Sequence, residues 1–184
     1  MSETSALKFP VSVQHLPQKG ITVTIKANER ERTALARDHD LEVVKSFEAE
    51  FQIMPWKKQG VKVQGRIDAD IVQACIVTLE PLDARIAEDV EAVFVPENSK
   101  LARIRLDESG EMLIDAEGPD MPETFSGDRI DIGAVAEEFF ELAIDPYPRK
   151  PGITEPITSS ESAVTDTEKP VSPFASLADW KKKP

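Results

Sequence analysis

The side chains able to do chemistry are few, and they are spread along the chain. There are two histidines, His15 and His39, and one cysteine, Cys75. A zinc site needs such ligands gathered together, and this spacing offers none. A Cys75–His39 nucleophile pair would need the fold to bring the two together. Cys75 stands in the run Ala74-Cys75-Ile76-Val77, which reads as a strand covered on both faces, where a thiol is buried and inert. Asp68 and Asp70 share one strand face and, with Glu88, could hold a magnesium ion for a metal-dependent nuclease or hydrolase; the alternation around them fits a solvated strand face better. Arg103 and Arg105 could grip a phosphate, but acids crowd them on both sides. The eight glycines are scattered and form no phosphate-binding loop. No catalytic constellation emerges, so no enzyme activity and no cofactor or metal are expected.

The elements that would carry these residues are legible from period and punctuation. Phe9-Pro10-Val11-Ser12-Val13 reads as a short strand, placed at an edge by its proline. Ile21, Val23 and Ile25 alternate with Thr22, Thr24 and Lys26, a half-buried strand. Asn28 can cap a helix from Glu29 to about Asp38, with acids in its first turn. Leu41, Val43, Phe47, Ala49, Phe51 and Ile53 share one parity and predict a long strand. Lys57 to Gly60 is a turn. Val61 to Ile71 alternates cleanly, with Lys62, Gln64, Arg66, Asp68 and Asp70 on the polar face. Pro81 interrupts the pattern, and Ile86, Val90, Ala92 and Phe94 restart it. Residues 97–127 read as an acidic, partly mobile excursion with strand-like pieces at 101–106 and 111–115. Asp131 can cap a second helix, with Ile132, Val135, Ala136, Phe139, Leu142 and Ala143 as its apolar stripe. Glu137, Glu138 and Glu141 lie off that stripe. Pro146 stops the helix, and Tyr147–Gly152 is an extended exit. The expected class is α+β: a mostly antiparallel sheet or partly open barrel with two helices and a disordered C-terminal tail.

Charge narrows the function. The net charge is -12. Residues 1–66 carry 11 Lys/Arg against 8 Asp/Glu, residues 67–152 carry 7 against 21, and residues 153–184 carry 4 against 5. A net of -14 in the middle block repels a phosphate backbone and attracts a basic protein. Direct RNA binding, through Arg30, Arg32 and Arg37 with Lys57 and Lys58, is the weaker alternative because stacking aromatics are scarce. No apolar run reaches the length of a membrane helix, and the first residues lack a signal-peptide pattern. A cytoplasmic protein is expected.

The composition changes after Gly152. A single domain over 1–152 is expected, then a flexible linker over 153–171, then a short helical recognition segment over 172–184. In that segment Ser172 is a cap and Pro173 suits the first helical position. Phe174 and Leu177 share a face, Trp180 follows, and three lysines close it. With Glu137, Glu138 and Glu141, the residues Pro173, Phe174, Leu177 and Trp180 form the expected partner-binding set.

Three segments in this order resemble a known family. They are Val72-Gln73-Ala74-Cys75-Ile76-Val77-Thr78-Leu79-Glu80-Pro81; Ile130-Asp131-Ile132 running on to Val135-Ala136-Glu137-Glu138-Phe139 and Leu142-Ala143-Ile144-Asp145-Pro146; and Ser172-Pro173-Phe174-Ala175-Ser176-Leu177. Together they resemble the large ribosomal RNA subunit accumulation protein YceD family, in an alphaproteobacterial-type version. The resemblance covers most of the chain and is weakest at the N-terminus and over 97–127. It implies a bacterial cytoplasmic protein needed for accumulation of large-subunit ribosomal RNA, with no established enzyme activity. Its gene often neighbours that of a small, basic large-subunit ribosomal protein. Many members carry Cys-x-x-Cys in the first segment, whereas Thr78 stands in the second position here, so a metal or redox pair does not carry over. The expected partner is a basic ribosomal protein or assembly factor, with ribosomal RNA contacted at most indirectly.

Overall fold

The computed structural model describes residues 5–57, 59–99 and 121–152. The expected strand pieces at 101–106 and 111–115, the linker over 153–171 and the recognition segment over 172–184 lie outside them. The described elements are β1 (Pro10–Ser12), β2 (Ile21–Lys26), α1 (Glu29–Asp38), β3 (Val43–Trp56), β4 (Gly60–Ala74), β5 (Pro81–Pro96), β6 (Glu123–Phe125), β7 (Arg129–Asp131) and α2 (Ile132–Ala143). A five-stranded sheet runs in the order β2-β3-β4-β5-β6, and β1 pairs with β7 in a second, two-stranded sheet. Every pairing is antiparallel except that of β5 with β6. The sheet is open, not a closed barrel, and the class is α+β.

Alternation explains the sheet. Along one face the register aligns Val23, Phe51, Gly65 and Val90 across four strands, with Ile53, Val63 and Ala92 beside them. Phe51, Ile53, Val63 and Ile67 are fully buried there. Each such side chain stabilises the fold by roughly 1.5–3 kcal/mol. The other face is polar. Arg66 reaches Asp68 at 3.2 Å and Asp89 at 3.4 Å, Arg85 reaches Asp68 at 3.4 Å, and Lys26 reaches Glu48 at 2.9 Å. Exposed pairs of this kind add little stability; their role is to keep a broad sheet face wetted.

Gly65 is required by packing. A Cβ there would stand 2.1 Å from the Glu50 carbonyl oxygen and 2.6 Å from Phe51 Cδ1. Phe51 is the register partner of Gly65, and its ring takes the space that a side chain would fill.

Helix α1 starts as the sequence predicts. The Asn28 side chain accepts from the backbone N–H of Arg30 and Glu31, while Glu31 returns a carboxylate to the Asn28 N–H. Leu35 is its buried anchor. Helix α2 is capped by Asp131, whose side chain accepts from the N–H of Gly133 and Ala134.

Three expectations change. A bulge between Val44 and Ser46 shifts the parity of β3, so Val44 is buried and Val43 is 47 % exposed. Residues 75–79 form no covered strand. β4 ends at Ala74, the Leu79 N–H donates to the Cys75 carbonyl at 2.8 Å, and the chain turns back. Cys75 is buried while Ile76, Val77 and Leu79 are exposed, and Pro81 opens β5 rather than breaking a strand. On α2 the buried stripe is Ile132, Val135, Ala136 and Phe140, with Phe139 half-buried and Leu142 75 % exposed. The Phe140 ring is held edge-on between His39 and Phe47, at centroid distances of 5.6 and 5.3 Å. That grip sets the rotation of the helix.

Candidate protein interface

The three glutamates expected to meet a partner project from α2, and they differ in situation. Glu137 is engaged by its own chain. Its Oε2 accepts from the Ser5 hydroxyl and from the Leu7 N–H at 3.2 Å, and its Oε1 lies 3.3 Å from His39 Nε2. It ties the N-terminal segment, the end of α1 and α2 together. Glu138 and Glu141 are exposed and make no ion pair among the described residues. Glu123 on β6 lies near Glu138. Burial first, and then the Glu138 charge, raise the Glu123 pKa above the ordinary value of 4.5.

Glu137, Glu138 and Glu141 line a groove of about 710 Å³ with Ser5, Arg37, Asp38, His39 and Ala134. Arg37 is paired with Asp38 at 2.8 Å and His39 faces Glu137. Glu138 and Glu141 are the groove carboxylates without an ion pair or hydrogen bond among the described residues. Phe174, Leu177, Trp180 and Pro173, the other half of the expected set, lie outside the described residues.

The two described family-like segments meet in space. Gln73 Nε2 donates to the Asp145 carbonyl at 2.9 Å, the Ile76 N–H donates to the Pro148 carbonyl at 3.0 Å, and Lys150 pairs with Glu80 at 2.8 Å. The exit from α2 thus clasps the β4–β5 turn. Inside the clasp, the Thr78 side chain first, and then the backbone N–H groups of Thr78, Lys150 and Val77, lower the Cys75 thiol pKa to about 7. Outside it, Ile76, Val77, Leu79 and Tyr147 are exposed. Gln73, Pro148 and Lys150 carry no local sequence signal for this contact.

The chemical alternatives are not assembled. Asp68 is held by Arg66 and Arg85, and the Asp70 carboxylate accepts from the Ser46 hydroxyl at 2.8 Å. Glu88 pairs in register with Ile67, on the sheet face opposite Asp68, so these three acids do not converge. The described residues contain no group of three metal-ligating side chains. His39 faces Glu137, and no bond links it to Cys75 among the described residues. Of the cations expected to meet RNA, Arg32 donates to the Ala27 carbonyl at 2.8 Å, Arg37 is paired with Asp38, and Lys57 lies 4.0 Å over the Trp56 ring. Lys58, Arg103 and Arg105 lie outside the described residues. No helix among those described is long and apolar enough to cross a membrane.

The described residues form an open α+β sheet with two helices and an acidic groove beside the second of them. Residues 63–181 match the family described as large ribosomal RNA subunit accumulation protein YceD, and the chain belongs to that family. The match begins within β4 and takes in both clasped segments. No curated protein and no solved structure gives a match.

Proposed function

We propose that this protein is a non-enzymatic cytoplasmic accessory factor for accumulation of large-subunit ribosomal RNA, acting by binding a basic ribosomal protein or assembly factor. The ribosomal context rests on the family. The observation that carries the binding reading is the α1–α2 groove, whose one arginine, Arg37, is already paired with Asp38 while Glu138 and Glu141 face solvent. A partner bringing Lys or Arg side chains gains charge-assisted contacts there and is steered by the acidic block. The exposed apolar residues of the clasp, Ile76, Val77, Leu79 and Tyr147, offer further contact area. The segment 172–184 would add a second contact, raising avidity through the linker.

The test is titration of purified basic large-subunit ribosomal proteins with the full chain, with Glu138→Gln/Glu141→Gln, and with a chain lacking residues 172–184. The double variant is expected to bind at least about 10-fold more weakly, with a shallower salt dependence. Truncation is expected to weaken binding without changing the salt slope attributable to the groove. Equal affinity of all three forms for every protein tried would rule the reading out.

A further inference from the structure

The two long sides of the main sheet are treated differently. On the β5–β6 side, β6 covers only Phe94–Pro96. The remainder of β5 starts with Pro81, carries Asp83, Arg85, Asp89 and Glu91, and points the exposed Glu88 to the core face. Prolines and charges on an edge, above all an inward-pointing charge, are what deter a sheet from pairing with another strand. Strand β2 ends the other side, and its residues Ile21-Thr22-Val23-Thr24-Ile25-Lys26 contain no proline, no bulge and no inward charge. Its one charge, Lys26, is already bound to Glu48 at 2.9 Å. Among the described residues no backbone hydrogen bond from another segment reaches this edge.

We propose that β2 is a homodimerisation edge: two copies of this chain pair β2 with β2 in antiparallel fashion and join their five-stranded sheets. The strand fits its own copy. With Thr24 opposite its symmetry mate, Val23 faces Ile25 on the buried side and Thr22 faces Lys26 on the wet side, so the alternation of each sheet continues without a slip. The contact is isologous, as a twofold dimer requires. It also pairs β-branched residues, the types that stabilise cross-strand neighbours. Electrostatics opposes pairing least at this edge. Two chains of net charge -12 repel, but β2 lies in the part of the chain whose net charge is +3, and it is the strand farthest from the acid-rich β5 in sheet order. A contact of six residues per chain is small, so the dimer is weak and concentration-dependent.

Sedimentation of the full chain from ~10 µM to ~1 mM, the range expected for a small interface, should show the mass rising from monomer towards dimer. Thr24→Lys places two cations directly opposite each other and should abolish the rise. Thr24 is exposed, so this variant keeps its fold, and its circular dichroism should be unchanged. A cysteine pair fixes the register. Thr24→Cys copies face each other with Cβ atoms about 5 Å apart and should cross-link on oxidation. Thr22→Cys copies are separated by about 13 Å along the strands and should not. A monomer at every concentration would overturn the proposal. So would a dimer that survives Thr24→Lys, or equal cross-linking of the two cysteine variants. A strand from another protein bound at β2 would appear as Thr24→Lys-sensitive binding of that protein by a monomeric chain, and would overturn it likewise.

Discussion

Glu123 sits where β6 approaches α2, and its raised pKa makes it a cost to the fold at neutral pH. The folded state holds this proton more tightly than the unfolded chain does. Stability therefore falls as pH rises from the ordinary value of 4.5 through the raised folded value, and the cost is fully present above both. Glu123→Gln should raise the melting temperature at pH 7 and leave it nearly unchanged at pH 4. The gain should stay under about 1 kcal/mol, because the site is only partly withdrawn from water. Thermal denaturation of both forms across this range checks the sign. Cys75 runs the other way. Its thiol pKa is lowered to about 7, and the Thr78 side chain is the largest cause. Its contribution to stability is present above the ordinary 9.0 and is lost as pH falls through 7. Thr78→Val should move the midpoint of the thiolate absorbance upward. Because Cys75 is buried, bulky thiol reagents should react slowly at pH 8 despite the ionised sulfur.

At the scale of elements, each contact that positions the groove has a measurable weight. The reciprocal bonds of Asn28 and Glu31 fix the first turn of α1. Asn28→Ala should lower stability by about 1 kcal/mol in denaturant titration. Gly65→Ala should cost more, roughly 1–3 kcal/mol, because β3 and β4 must part to admit a methyl group. A value near zero would mean that Phe51 and the Glu50 carbonyl move aside freely. The two helices illustrate different degrees of legibility. α1 is written in its cap and its single apolar anchor. The boundaries of α2 are written in Asp131 and Pro146, but its buried face is not. Phe139 and Phe140 are both apolar and adjacent, and the period alone does not choose between them. His39 and Phe47 choose Phe140 by gripping its ring.

For the whole molecule, the excess of acids sets the response to salt. Ion pairs on the outer sheet face are exposed and individually weak, whereas mutual repulsion among a net of -12 acts over the entire surface. Raising salt from ~10 to ~150 mM, which shortens the screening length to about 8 Å, should therefore raise the melting temperature. A fall would mean that the Arg66–Asp68–Arg85 lattice outweighs the repulsion.

By itself the sequence determined the elements whose signals are local. Alternation wrote β2, β3, β4 and β5, caps wrote the starts of both helices and Pro146 the end of the second, and the charge count placed the acids after residue 66. These are legible because period, capping and charge need only near neighbours in the chain. Tertiary structure decided what depends on partners far along it. The pairing of β1 with β7, some 120 residues apart, has no local sign: β1 reads as a short strand, but the three residues of β7 carry too short a pattern and nothing nearby names the partner. Nor does the bulge that turns Val43 outward, because a parity shift is imposed by the neighbouring strand. Glu137 reads as one of three similar acids on a helix. The fold alone commits it to Ser5, Leu7 and His39 and leaves Glu138 and Glu141 to solvent. A carboxylate's availability is set by which donors the packing brings to it, and those donors come here from segments about 100 and 130 residues away.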